Sequence, residues 1–207
     1  MKKYKEFIKS IAIVMGTQAI IYFLVKSFIT NYNVMNSIMN IPLIKGFVYF
    51  YDSWYPVVLL TAFIIYKHDK NSYYNLTFTM ILGAFLSHIT FIVYPTMVLR
   101  PSIEVNTLTD FILDFTYKTD TPAVNCLPSV HCLYCFILSY YTLRSKNLNF
   151  TYKIFIIIYH TLIILSTLFI WQHIIEDTIL AFIYAAIAIT IVSIFKEKIK
   201  KVLGFIF

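Results

Sequence analysis

Apolar runs of about twenty residues recur along this chain, and they decide which solvent it can fold in. Of its 207 residues, 59% are hydrophobic and 13% are charged. A soluble domain carries roughly 25% charged residues, so this chain has too few to keep so much apolar side chain in water. Hydrocarbon accepts it instead. A bilayer core roughly 30 Å thick is crossed by about 20 residues of helix. The sequence therefore predicts an all-α polytopic membrane helix bundle, a single domain over 1–207, with about six transmembrane helices. They are expected over 8–29, 46–66, 76–94, 129–143, 152–171 and 174–195. Asp52 and Pro56 interrupt the second. The fourth is short and begins beside Pro128, a residue suited to a first helical turn. The first follows a lysine-rich start, as a secretory leader does. Its length and the lack of a small-x-small cleavage site point to a retained span.

Lysine and arginine placement predicts the orientation. Thirteen of the seventeen fall on one side, at the two chain ends, around Lys67 and Lys70, and around Arg144, Lys146 and Lys153. Only Lys26, Lys45, Arg100 and Lys118 fall on the other. Both termini are thus expected to be cytoplasmic, with outer connections over 30–45, 95–128 and 172–173. The net charge of +7 could suit nucleic acid, but the cations sit at span ends. Anionic lipid head groups are the better counter-surface, and no nucleic acid is expected. The longest connection mixes Asp110 and Asp114 with Phe111, Ile112, Leu113 and Phe115, a pattern for a short helix on the surface.

Three polar clusters fall on the outer side of this topology. Arg100-Pro101 follows the third run, Pro128-Ser129-Val130-His131 opens the fourth, and His173 with Asp177 opens the sixth. Four residues apart, His173 and Asp177 share a helix face. A carboxylate there can hold one imidazole nitrogen and leave the other free to attack. Ser129, Val130 and His131 stand where free N–H groups and the helix dipole favour an anion. Arg100 offers a planar fork for phosphate oxygens. The set suits phosphoryl transfer, with one histidine attacking phosphorus and the other protonating the leaving oxygen.

From about Asn40 to Phe195 these residues resemble the type 2 phosphatidic acid phosphatase superfamily. Tyr94-Pro95-Thr96, Asn125-Cys126-Leu127 and the stretch from Ser166-Thr167 to Gln172-His173 look like its inositol phosphorylceramide synthase branch and related bacterial proteins. The resemblance implies six membrane helices, a site at the outer leaflet of a bacterial plasma membrane, and a phosphohistidine intermediate with neither metal nor cofactor. It implies His173 as nucleophile, Asp177 as its orienting partner and His131 as general acid. Arg100, Ser129 and Val130 would hold the phosphate. The implied activity is hydrolysis of a lipid phosphate monoester or diphosphate. The alternatives are a phosphotransferase with an alcohol acceptor, and a catalytically silent scaffold or transporter. Two family cations are missing, since Val93 and Thr167 stand in their places. Lys118 or Lys45 is the candidate substitute.

The remaining polar residues are read as structural. Cys132 and Cys135, spaced C-x-x-C in an apolar run, are expected as small residues facing lipid or core, and Cys126 completes an odd number that gives no disulfide framework. His88 and His160 are expected as neutral imidazoles hydrogen-bonded between helices. Asp52 could meet a head group or pair with Arg100 or Lys45. His68 has no assigned role, and Glu176 is expected at the rim.

Overall fold

The computed structural model describes residues 4–36 and 40–206, and side chains as far as Glu197. Helix dominates, as the apolar runs require, because a backbone in hydrocarbon must satisfy its own hydrogen bonds. The elements are α1 (Lys5–Phe28), β1 (Asn33–Met35), α2 (Val48–Asp52), α3 (Trp54–His68), α4 (Lys70–Val93), β2 (Thr96–Val98), α5 (Leu108–Thr119), α6 (Val130–Arg144), α7 (Phe150–Phe169) and α8 (Ile175–Ile206). A 3-10 turn over Lys45–Phe47 leads into α2. Among the described residues, four helices are long and apolar enough to cross a membrane: α1, α4, α7 and α8.

The second expected span is a bent pair. The Lys45–Asp52 segment and α3 meet at 40° around Ser53, and together they could make a fifth crossing. Pro56 explains the break, because a proline ring crowds the carbonyl four residues earlier, here Asp52. The helix resumes when Val57 N–H donates to the Ser53 carbonyl.

The fourth expected span is α6, and its 15 residues make it as short as expected. At about 1.5 Å per residue it covers roughly 22 Å, less than a bilayer core. It touches α3, α4, α7 and α8, and Leu133, Tyr134, Cys135, Ile137 and Leu138 are all fully buried. A helix buried on every side is a central one, although Leu143 and Arg144 at its end are exposed. Gly83 allows α4 its close approach, since a Cβ there would lie 3.2 Å from Ile137 Cδ1 and 3.3 Å from Leu133. Cys132 and Cys135 are free and buried in this core. The outer surface is apolar: Phe28 on α1, Phe155 on α7 and Ile194 on α8 are each at least 70% exposed. Exposed apolar surface on this scale calls for a non-aqueous solvent.

Several polar groups between helices are paired with each other. Thr79 meets the Tyr141 hydroxyl at 2.8 Å, and Thr90 meets that of Tyr184 at 2.7 Å. Ser10 is bonded to the Tyr73 hydroxyl. His160 joins Thr61 at 3.3 Å and Ser139 at 2.9 Å, the interhelical role expected of it. His88 differs, for its Nε2 is buried without a hydrogen-bond partner. Lys2 and Lys3 lie outside the described residues, as do the side chains of Lys198, Lys200 and Lys201.

The connections hold more structure than their sequence suggested. β1 and β2 pair in parallel, Asn33 opposite Thr96 and Met35 opposite Val98. The surface helix α5 forms as expected. Thr107 and Asp110 close a capping box at its start, satisfying two otherwise unpaired N–H groups. Leu113 turns inward, while Phe111 and Phe115 stay exposed. Asp110 also accepts from Lys45 Nζ at 2.6 Å. The lysine, with the Thr107 hydroxyl and the Asn106 amide, holds this carboxyl down at about 2. Its folded pKa is lowered, so its stabilisation is full above about pH 4 and fades as pH falls through about 2. We expect Asp110→Asn to melt below wild type at pH 6 in detergent, with the gap closing as pH approaches 2. A gap that persists at low pH would show that the charge is not its source.

Candidate active site

The turn between α7 and α8 places the first histidine. Trp171 has a φ of 53°, a left-handed conformation that costs a non-glycine residue roughly 1–2 kcal/mol. Two bonds hold the turn, because the Gln172 and His173 amides both donate to the Thr167 carbonyl at 3.0 Å. The Trp171 indole N–H donates to the Ile41 carbonyl at 3.0 Å.

α8 then supplies the carboxylate. Asp177 lies in the first turn, where negative charge complements the helix dipole. Its Oδ2 accepts from the Ile174 amide at 3.0 Å and meets His173 Nδ1 at 3.1 Å. Asp177 is fully buried. With Nδ1 donating to it, the opposite ring nitrogen, Nε2, carries the lone pair.

α6 brings in the second histidine. Ser129 is the N-cap, its side chain accepting from the Cys132 amide at 3.3 Å. The Ser129 amide donates to the Asp177 carbonyl at 3.2 Å. That bond ties the start of α6 to the start of α8. The Val130 and His131 amides are left as first-turn donors that an α-helix does not use internally.

The His131 ring stacks on Tyr51 at 4.5 Å between centroids and lies 4.4 Å from the Trp54 ring. Trp54 Nε1 also donates to the His131 carbonyl at 3.3 Å. His131 Nε2 is buried with no hydrogen-bond partner. The ring centroids of His131 and His173 are 6.1 Å apart. A phosphorus bonded to one imidazole, with an ester oxygen hydrogen-bonded to the other, needs about that spacing.

Arg100 is bonded to other partners than the pair. Its Nη2 meets Asp120 Oδ2 at 2.5 Å, and its Nη1 donates to the carbonyls of Tyr117 and Asp120 at 3.5 and 3.4 Å. The guanidinium lies over the Tyr117 ring, and Nε is buried without a partner. Among the described residues no hydrogen bond joins Arg100 to either histidine. The end of α5 holds it, and Asp120 is held in turn by the Tyr22 hydroxyl at 2.6 Å. Burial raises the Tyr117 phenol to about 12, so at neutral pH it is a donor, and it gives its proton to the Ile170 carbonyl at 2.5 Å.

The candidate substitute cations are committed elsewhere. Lys45 pairs with Asp110, and Lys118 pairs with Asp114 at 2.6 Å. Val93 is exposed, and Thr167 is fully buried with its hydroxyl donating to Ile164. Asp52 meets neither Arg100 nor Lys45; it accepts from the Thr116 hydroxyl at 3.1 and 3.2 Å.

A cavity of about 360 Å³ opens beside His173, bounded by Asn36, Asn40, Val98, Leu99 and Trp171 among others. Sequence reasoning missed Tyr51 and Trp54, which box the His131 ring, and Asp120, which holds Arg100. Tyr51 and Trp54 are three apart across Asp52, a spacing that puts them on one face if the helix continues. Asp120 carries no local signal, because the contact spans twenty residues. No protein-family model, curated protein or solved structure matches this chain.

Proposed function

We propose that this protein is an integral-membrane lipid phosphatase working through a phosphohistidine. The observation that carries the reading is the pair of imidazoles 6.1 Å apart, one of them held through Nδ1 by a buried carboxylate. His173 Nε2 attacks phosphorus and the ester P–O bond breaks. The departing oxygen takes a proton from His131. Neutral His131 then removes a proton from water, which attacks the phosphohistidine, releasing phosphate and freeing His173. The amides of Val130 and His131 receive charge on the phosphoryl oxygens. The bundle makes six crossings with both termini cytoplasmic, counting the bent pair and short α6 as spans, and the histidines face the outer leaflet. The lysine and arginine bias supports that orientation.

The second reading is transfer to an alcohol in place of water. It is favoured by Val93 and Thr167 standing where a simple phosphatase of the family carries cations, and by the commitment of Lys45 and Lys118 elsewhere. Purified protein given phosphatidate, a phosphorylated glycerophospholipid, a sphingolipid phosphate or a polyprenyl diphosphate should release free phosphate from at least one without an added alcohol. Release that depends on an added alcohol would replace hydrolysis with transfer.

A further inference from the structure

A second cleft lies at the other end of the bundle, roughly 20 Å along α6 from His131. Its volume is about 380 Å³, and it sits between the start of α4, the end of α6 and the later part of α8. Arg144, Lys146 and Lys196 line it. None of the three forms an ion pair among the described residues. The carboxylate in the cleft is Asp69. It already accepts from the Ser72 amide at 3.0 Å, the Ser72 hydroxyl at 2.8 Å and the Lys146 amide at 3.4 Å. Three cations therefore face one carboxylate whose oxygens are already engaged.

The cleft also offers hydrogen bonds. Asn75 lines it, and its Oδ1 is buried without a partner. A buried amide oxygen left unpaired is costly, and a ligand hydroxyl would relieve it. The helices that form the cleft also carry exposed apolar side chains: Leu143 on α6 is 55% exposed and Ile194 on α8 is 70% exposed. A free anion would gain nothing from them, whereas acyl chains would.

We infer that this cleft binds the head group of an anionic glycerophospholipid, in the leaflet away from the histidine pair. The phosphate sits among Arg144, Lys146 and Lys196, a head-group hydroxyl reaches Asn75, and the chains lie along Leu143 and Ile194. Basic pockets between membrane helices recognise lipid phosphates in this way. The inference does not depend on the phosphatase reading.

The test uses the full chain in a neutral maltoside detergent. Dioctanoyl phosphatidylglycerol, dioctanoyl phosphatidylcholine and inorganic phosphate are titrated separately, with thermal shift and native mass spectrometry as readouts. Phosphatidylglycerol should bind saturably and raise the melting temperature. The triple variant Arg144→Gln, Lys146→Gln, Lys196→Gln should weaken it by about tenfold or more. If the triple variant does not fold, each single variant should weaken binding by about fivefold. His173→Ala, at the opposite end, should bind the lipid as wild type does. Equal binding of phosphatidylcholine, equal protection by inorganic phosphate, or undiminished binding by the basic-site variants would each overturn the inference.

Discussion

His173→Ala should lose at least about a thousandfold in phosphate release while inserting into membranes normally. Removing a covalent nucleophile leaves only binding and electrostatic stabilisation, and such knockouts cost roughly 10³–10⁶. The structural reason is specific. Asp177 is buried and fixed by the Ile174 amide as well as by His173, so the imidazole is held in one tautomer with its outer nitrogen free. Among the described residues that line the cavity, no other is a histidine, cysteine or lysine. Cys126 is buried, and burial pushes its thiol up, away from thiolate. The check is release from the substrate found in the lipid screen, with membrane insertion followed by detergent extraction. Unchanged turnover in His173→Ala would remove the covalent mechanism altogether.

His131→Ala should cost about 10²–10⁴, the usual range for a positioned acid or base. The pattern of loss matters more than its size. In the proposed mechanism His131 donates to the departing oxygen in the first step, so the loss in the first-turnover burst should shrink on an aryl phosphate whose leaving oxygen needs no proton, while steady-state turnover stays slow because water attack still lacks its base. His173→Ala should show no such rescue. If the first-turnover burst of His131→Ala were slowed equally on alkyl and aryl esters, the histidine would be holding the site together rather than moving a proton. Trp54 and Tyr51 give that alternative its content, because both rings press on His131.

Much of the fold was legible because hydrocarbon imposes a simple rule on length and charge. The long runs became α1, α4, α7 and α8, and the acidic and aromatic alternation after Pro101 became α5. Hydropathy does not tell a lipid-facing helix from one enclosed by its neighbours. It therefore gave no sign that the short α6 is enclosed by its neighbours. Nor does it see a three-residue strand pair such as β1 and β2, which has no room to express a period.

The site was legible where its contacts are local. His173 and Asp177 are one helical turn apart, and their bond follows from that spacing. Arg100 is the opposite case. Its charge suggested a phosphate ligand, but its geometry depends on Asp120, Tyr117 and Tyr22, which arrive from α1 and the end of α5. Freeing the fork for a phosphate would mean loosening the 2.5 Å contact with Asp120.

The most direct test of the central claim is to trap the phosphoryl group. The protein is mixed with its lipid phosphate substrate, quenched in base, where a phosphohistidine survives, and digested for mass spectrometry. The account predicts an acid-labile phosphoryl group on the peptide carrying His173, absent from His173→Ala and accumulating in His131→Ala when an aryl phosphate is supplied. Turnover with no phosphorylated His173, or with the phosphoryl group on another residue, would contradict it.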